Sequence, residues 1–257
     1  MSDHSELVVA CIACALNSCQ IPCVLWGHSL LNVHGIPSIV ASVDFVLPDH
    51  LLMAGAKALE GLHIIRPCPG QETCLTSSPE RHTPPPAHHF HLHESDVTVG
   101  LYLHSETLWF LPVLDSSLSC PPCPDTSKLP PHFTLASDEA SLPPRRPGRG
   151  FGVFKPESGP VVVPKAHVLL EAFLRLYARD SAKRIGAFAI AMIGYVEQYI
   201  DDDGLLDASR LPEPLRTSYM DLRQGRKPVR QWTKELKQAL QLPQEESESD
   251  EEDDCWT

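Results

Sequence analysis

The chain has 257 residues, enough for one large domain or a domain with an appendage, and 42% of them are hydrophobic. This composition excludes a chain that is disordered throughout. The formal net charge is −12, but eight of the 33 acidic residues lie at positions 244–254, so the rest of the chain has 25 acidic residues against 21 basic ones. A nearly neutral body has no broad basic face, which excludes a general nucleic-acid-binding protein.

Membrane insertion is not expected from the hydropathy pattern. No segment reaches the roughly 18–20 apolar residues that a spanning helix needs, and the apolar run at 7–16 is short and lacks the basic start of a signal peptide. We therefore expect an intracellular protein, cytoplasmic or nuclear, with no membrane partner. The nine cysteines, an odd number, are expected to be thiols rather than a disulfide framework.

The first 115 residues predict alternating helices and strands. Helices are predicted at 6–16, 29–33 and 49–60, and strands at 23–26, 39–47, 63–66, 88–93 and 98–104, with a further short element at 108–113. We expect residues 1–115 to form an α/β core, a small mixed sheet flanked by helices.

The second half divides into three parts. Twelve of the 25 prolines lie between positions 111 and 164, so residues 116–160 are predicted to be a proline-rich, disordered insertion. Residues 161–242 are predicted to be a helical segment that packs on the core, with helices at 165–178, 180–199, 215–222 and 232–240. Residues 243–257 are predicted to be a disordered acidic tail.

A resemblance to a known fold lies in the stretch LWGHSLLNVHGIPSIVASVDFVLPD at 25–49. It resembles the opening of the nucleotidyltransferase fold, in which a strand, a Gly-x-Ser turn and a short helix precede a strand that carries a carboxylate pair. The segments HHFHLH at 88–93, LHSETLWFLP at 103–112 and LLEAFLRLYARD at 169–180 fit the same likeness. The resemblance covers most of residues 6–242. In its details the chain is most similar to the nucleotidyltransferase-like proteins of filamentous fungi, which are distantly AbiEii-like.

The resemblance implies a phosphate-binding turn at Gly27 and Ser29 and a catalytic, Mg²⁺-binding carboxylate at Asp44. An Asp-x-Asp pair on a strand presents both carboxylates on one face, yet the position of the first is taken by Ser42. The resemblance also implies a third carboxylate near positions 98–104. This stretch contains no acidic residue, and the candidates that it offers instead are Tyr102 and His104. The motif is therefore degenerate.

Three functions stay open at this point. The first is a nucleotidyltransferase-like pseudoenzyme that binds a nucleotide or a protein partner. The second is an active, Mg²⁺-dependent nucleotidyltransferase that uses Asp44 with an unexpected ligand such as His104. In either case basic residues at the junction of two predicted helices, among them Arg179 and Lys183, are expected to meet the phosphates of the ligand.

The third function is metal binding by histidine. His89, His91 and His93 share one face of a predicted strand, and His-x-His is a spacing found in zinc sites. His104 or Asp96 would supply a third ligand. The alternative interpretation is a half-exposed sheet edge on which the histidines bind no metal.

Cysteines offer a further, weaker metal or redox pattern. Cys120 and Cys123 have the spacing of half a zinc site, and Cys68 or Cys74 would have to complete it. Because the pair lies in the proline-rich insertion, loop thiols are the simpler interpretation. Cys11 and Cys14, at positions i and i+3 of a predicted helix, are expected to be buried as small apolar side chains.

Overall fold

The computed structural model describes residues 2–70, 74–78, 83–119 and 129–243. Within these residues seven strands are found: β1 (Val24–Trp26), β2 (Ser42–Leu47), β3 (Ile65–Pro67), β4 (His88–Leu92), β5 (Thr98–Leu103), β6 (Phe133–Leu135) and β7 (Val162–Pro164). The helices are α1 (Ser2–Ser18), α2 (Gly27–Val33), α3 (Leu52–Glu60), α4 (His104–Thr107), α5 (Ala166–Asp180), α6 (Arg184–Val196), α7 (Leu215–Arg223) and α8 (Val229–Ala239).

The main sheet has five strands in the order β1-β2-β5-β4-β3. The central pair β2–β5 is parallel, while the other neighbours are antiparallel. Strands β6 and β7 form a separate antiparallel ribbon. The predicted class, α/β with a small mixed sheet flanked by helices, is therefore confirmed.

One face of the main sheet is apolar and packs on helices. On β2 the residues Val43, Phe45 and Leu47 point to this face, because strand side chains alternate. Gly55 of α3 lies close to Leu47, and a side chain there would overlap it. This side of the sheet thus belongs to the hydrophobic core with α1 and α3.

The opposite face carries a row of polar and small residues. Cross-strand register aligns Asp44 of β2 with Gly100 of β5 and His89 of β4, and Ser42 with Thr98 and His91. Residues aligned in register share a face of the sheet. We call these six residues, listed here together, the polar face: Ser42, Asp44, His89, His91, Thr98 and Gly100.

The C-terminal helices pack on the core through aromatic side chains. The ring of Trp26, at the end of β1, lies 5.9 Å from that of Phe173 on α5, and Phe173 meets Phe188 of α6 at 6.1 Å. His34, buried after α2, is hydrogen-bonded through Nε2 to the Pro164 carbonyl at 2.9 Å. The helical segment and the sheet therefore share one hydrophobic core.

The predicted disordered insertion differs from what is found in its described part. Phe133–Leu135 forms β6, and Leu142 and Phe154 are buried in the core. The Gly150 and Gly152 N–H groups donate to the Gly35 and Asn32 carbonyls, both at 2.9 Å. These contacts hold residues 129–160 against the end of α2, so this stretch is ordered although it is rich in proline.

The basic cluster in this insertion is also engaged. Arg146 and Arg149 form ion pairs with Asp203 at 2.8 and 3.1 Å, and the Arg149 guanidinium lies 4.7 Å from the centre of the Tyr199 ring. Asp203 follows a π-helical turn, Glu197–Asp201, that extends α6. These contacts attach the insertion to the C-terminal end of α6.

Four further expectations need correction or fall outside the described residues. Cys11 and Cys14 are exposed, because Ile12, Ala13 and Leu16 form the buried side of α1. Residues 108–113 form no strand or helix, and the turn before them is α4. The pair Cys120 and Cys123 and the predicted acidic tail from residue 244 onward lie outside the described residues.

No helix among the described residues combines the length and the apolar character that a membrane span requires.

Candidate functional site

The candidate site is centred on Asp44, which is 3% exposed in the middle of the polar face. Register places Asp44 beside Trp26 of β1 on one side and Gly100 of β5 on the other. Gly27 follows directly after Trp26 and has a φ of 64°. A Cβ at either Gly27 or Gly100 would overlap a carboxylate oxygen of Asp44. The structure thus brings the predicted turn and the predicted carboxylate together.

Two hydroxyl groups, those of Ser42 and Ser29, form hydrogen bonds on the β1–β2 side of the site. The Ser42 hydroxyl donates to Asp44 Oδ2 at 2.7 Å. The Ser29 hydroxyl, on α2, donates to the Ser42 carbonyl at 3.3 Å. Ser29 is 2% exposed, so its hydroxyl stabilises the junction of α2 and β2 and is turned toward the backbone.

The described residues around Asp44 do not fit a Mg²⁺ centre. Mg²⁺ requires near-octahedral oxygen ligands and is usually held by carboxylates together with substrate phosphates. Ser42 is neutral, and the next positions on this face, Thr98 and Gly100, supply no charge. In the described part of the chain, Asp44 belongs to no group of three or more Asp, Glu, His or Cys ligand atoms close enough to share an ion.

His104 and Tyr102, the polar candidates on β5, do not supply the missing ligand. The Tyr102 hydroxyl donates to the Pro84 carbonyl at 3.1 Å. His104 begins α4, four residues beyond Gly100, which on an extended strand is a distance of about 13 Å. The next residue, Ser105, donates its N–H to the carboxylate of Asp49 at 3.1 Å. His104 therefore lies at the end of β5 beside Asp49, away from Asp44. The described geometry therefore gives no support to a metal shared by His104 and Asp44.

Arg179 and Lys183 are held by other parts of the protein. Both donate to the buried carboxylate of Asp180 at 2.8 Å. Arg179 also donates to the Glu106 carbonyl at 3.0 Å and lies 4.6 Å from the centre of the Trp109 ring. These contacts place Arg179 at the α4 end of the sheet, whereas Lys183 keeps 69% of its side chain exposed.

His89 and His91 lie in a second cluster on the polar face. Their Nε2 atoms are 3.2 and 3.3 Å from the sulfur of Cys74. Cys68 joins them, and the ligand atoms of all four side chains lie within 4.8 Å of one another. Cys74 is 5% exposed. His93 is exposed and does not belong to this group.

These surroundings lower the pKa values of two members of the cluster, His91 and Cys74. Burial and the nearby Arg66 guanidinium lower the pKa of His91, which favours neutral imidazole. Burial acts to raise the pKa of Cys74, but hydrogen bonds from the Ser77 and Thr76 backbone and from Cys68 outweigh it, and the pKa lies below its ordinary value. Neutral imidazole and thiolate are the forms that bind metals.

The two cysteines were not recognised from the sequence as partners of the histidines. The feature that brings Cys68 to the histidines is the antiparallel pairing of β3 with β4, in which Pro67 pairs with Phe90. Continued by one residue, this antiparallel register sets Cys68 opposite His89. The sequence predicts metal binding by these histidines with His104 or Asp96 as a third ligand, whereas the structure places Cys68 and Cys74 beside His89 and His91.

Comparison with known proteins gives little. No protein-family model matches the chain, and no curated protein matches it. A solved structure similar to it is that of an antigenic nucleotidyltransferase-like protein from Paracoccidioides brasiliensis. The two are 16% identical, the match covers 91% of this chain and 93% of the other, and the TM-score is 0.44.

Proposed function

We propose that this chain is a nucleotidyltransferase-like protein that does not transfer nucleotides and acts by binding a nucleotide or a protein partner. The observation that carries the proposal is Ser42, which donates a hydrogen bond to Asp44 at the position where a second metal-binding carboxylate would lie. The strand, glycine turn, helix and strand of 24–47 support the ancestry that the sequence resemblance implies.

The charge of the site argues against catalysis. Nucleotidyl transfer brings a triphosphate, with several negative charges, to an acceptor hydroxyl, and Mg²⁺ neutralises charge that develops during the reaction. Among the described residues, Asp44 is a single carboxylate flanked by a serine, a threonine and a glycine, and it gives Mg²⁺ one anionic ligand. Because Mg²⁺ gives up its water reluctantly, such a site would not hold the ion in place without its other carboxylates.

A labelling experiment tests the absence of transfer. The protein is incubated with each of the four α-labelled nucleoside triphosphates and Mg²⁺, together with an extract that supplies acceptors. We expect equal background labelling from the wild type and from Asp44→Asn, which keeps the size of the side chain and removes its charge. Mg²⁺-dependent labelling that disappears in Asp44→Asn would show an active transferase and would overturn the proposal.

Calorimetric titration with the same nucleotides identifies the ligand class. If the bases at the α5–α6 junction meet phosphate, Lys183→Glu should weaken nucleotide binding about tenfold, since it replaces attraction by repulsion. Lys57→Glu is the matched control, because Lys57 is exposed on α3, which packs on the other face of the sheet. Equal affinity in both variants would remove Lys183 from the site, and no binding by the wild type would leave a protein as the partner.

A further inference from the structure

We propose that Cys68, Cys74, His89 and His91 form a structural zinc site that fastens the β3–β4 connection onto the polar face of the sheet. The site uses no residue of the proposed nucleotide-binding function, so either proposal can fail without the other.

The donor set has the composition and the closeness that zinc requires. Two thiolates and two imidazoles make a Cys₂His₂ set, which is typical of tetrahedral structural zinc. Bond lengths of about 2.3 Å to sulfur and 2.0–2.1 Å to nitrogen give a sulfur–nitrogen separation of about 3.6 Å in a regular tetrahedron. Cys74 Sγ lies 3.2 and 3.3 Å from the two Nε2 atoms, so small side-chain adjustments would admit the ion.

The backbone fixes three of the four ligands before any metal binds. His89 and His91 point to the same side of β4 because they are two residues apart. Cys68 follows β3, whose pairing with β4 aligns Arg66 with His91. Cys74 comes from further along the connection, and its buried thiol contacts both histidines on the sheet.

Four protein ligands leave no open position on a tetrahedral ion, which is the mark of a structural rather than a catalytic site. Two further contacts tie described residues of the β3–β4 connection to β5. Thr76 Oγ1 lies 3.4 Å from Thr98 Oγ1, and Pro84 accepts the Tyr102 hydroxyl. A zinc ion at Cys74 would add a strong cross-link at the start of this connection.

The location gives the ion a role for the neighbouring site. His89 and Asp44 lie in the same register row on either side of Gly100, so about 10 Å, two strand spacings, separate their backbones. The connection that zinc would fasten passes over β5 between them, where Thr76 meets Thr98. Zinc would therefore fix the wall on one side of the Asp44 site.

Elemental analysis of protein produced without a histidine tag tests the site directly. We expect about one zinc per chain in the wild type and at least a tenfold lower content in Cys74→Ser and in His91→Gln. The matched controls are Cys19→Ser and His93→Gln, which change exposed residues of the same types and should keep the zinc of the wild type. Far-ultraviolet circular dichroism shows which variants remain folded.

Cobalt provides a second readout that does not depend on the variants' stability. Metal-free wild type, prepared with a chelator, should take up one Co²⁺ with the intense visible bands of tetrahedral thiolate coordination, and Zn²⁺ should abolish them. Wild type that is zinc-free as purified and gives no such bands would overturn the proposal. Zinc that is retained in both Cys74→Ser and His91→Gln would overturn it equally.

Discussion

The carboxylate of Asp44 lies so close to the α-carbon of Gly27 that a side chain at position 27 would overlap it. Gly27 also has a φ of 64°, a conformation that costs an L-residue about 1–2 kcal/mol. Sequence position 27 is thus restricted twice, once by its backbone and once by its neighbour on β2. The restriction joins the turn and the carboxylate into a single unit.

We expect Gly27→Ala to lower the free energy of unfolding by about 2–4 kcal/mol, because strain and overlap add. Gly225→Ala is the matched control: Gly225 has a φ of 59° and open space around its α-carbon, so this variant should lose only about 1–2 kcal/mol. Urea unfolding measures both. In an Asp44→Ala background the cost of Gly27→Ala should fall toward that of Gly225→Ala, and an unchanged cost would show that Asp44 is not the obstacle.

Restoring a carboxylate at position 42 should create a response to Mg²⁺ that the wild type lacks. Without metal, Ser42→Asp should lose about 2–4 kcal/mol, since it removes the hydrogen bond to Asp44 and places two negative charges on adjacent positions of one buried face. Saturating Mg²⁺ should recover part of this loss by binding the pair.

Thermal unfolding with and without Mg²⁺ measures the response of Ser42→Asp. Ser42→Asn is the control, because it introduces a side chain of the same size without the charge. An equal Mg²⁺ effect in the two variants would mean that positions 42 and 44 cannot form a metal site even when both are acidic.

Two buried histidines should make the protein sensitive to mild acid. Burial is the main cause that lowers the pKa of His34 and of His167 to about 4 in each case. The unfolded chain binds these protons near pH 6.5, so stability is complete above that pH and falls as the pH decreases toward 4. Each histidine should contribute a loss of roughly 3 kcal/mol over this interval.

The contribution of His34 can be isolated with His34→Gln, which retains an N–H donor for the Pro164 carbonyl. Urea unfolding between pH 7.5 and pH 4.5 should show a smaller loss of stability on acidification than in the wild type. His93→Gln, at an exposed position, should follow the wild-type pH profile. Identical profiles for all three proteins would show that His34 does not titrate with folding.

The Asp203 ion pairs should hold the insertion against the C-terminal end of α6. Asp203→Asn removes the partner of both Arg146 and Arg149, and we expect a loss of about 1 kcal/mol that decreases with salt, because both arginines are partly exposed. Trypsin should then cleave faster at positions 145–149. Glu213→Gln breaks an exposed pair with Arg216 and should leave this cleavage unchanged, whereas equal cleavage of Asp203→Asn and wild type would contradict the docking.

The sequence pattern was sufficient for the elements with strong local signals. Apolar periodicity and flanking prolines or glycines located α1, β2, α3, β5 and α5 to within a few residues. It was insufficient for β6, since Phe133–Leu135 has three residues and follows Pro130 and Pro131. Such a short strand is specified by its pairing with β7 and its burial, not by its own composition.

The candidate site shows the same division. Gly27, Ser29 and Asp44 lie within one continuous stretch, and a motif was enough to associate them. Cys68 and Cys74 could not be assigned to His89 and His91, because the association depends on the register of β3 against β4, which is a tertiary fact. Arg179 shows the same limit, since its charge is visible in the sequence but its contacts with Asp180 and Glu106 are not.

The contact between Trp26 and Phe173 links residues far apart in the chain and determines how the protein can be divided. A fragment that stops before β7 would leave the Trp26 indole and His34 facing water, because their partners come from Pro164 and α5. We expect a fragment of this kind to be less stable than the full chain, because it exposes part of the core that the sheet shares with α5.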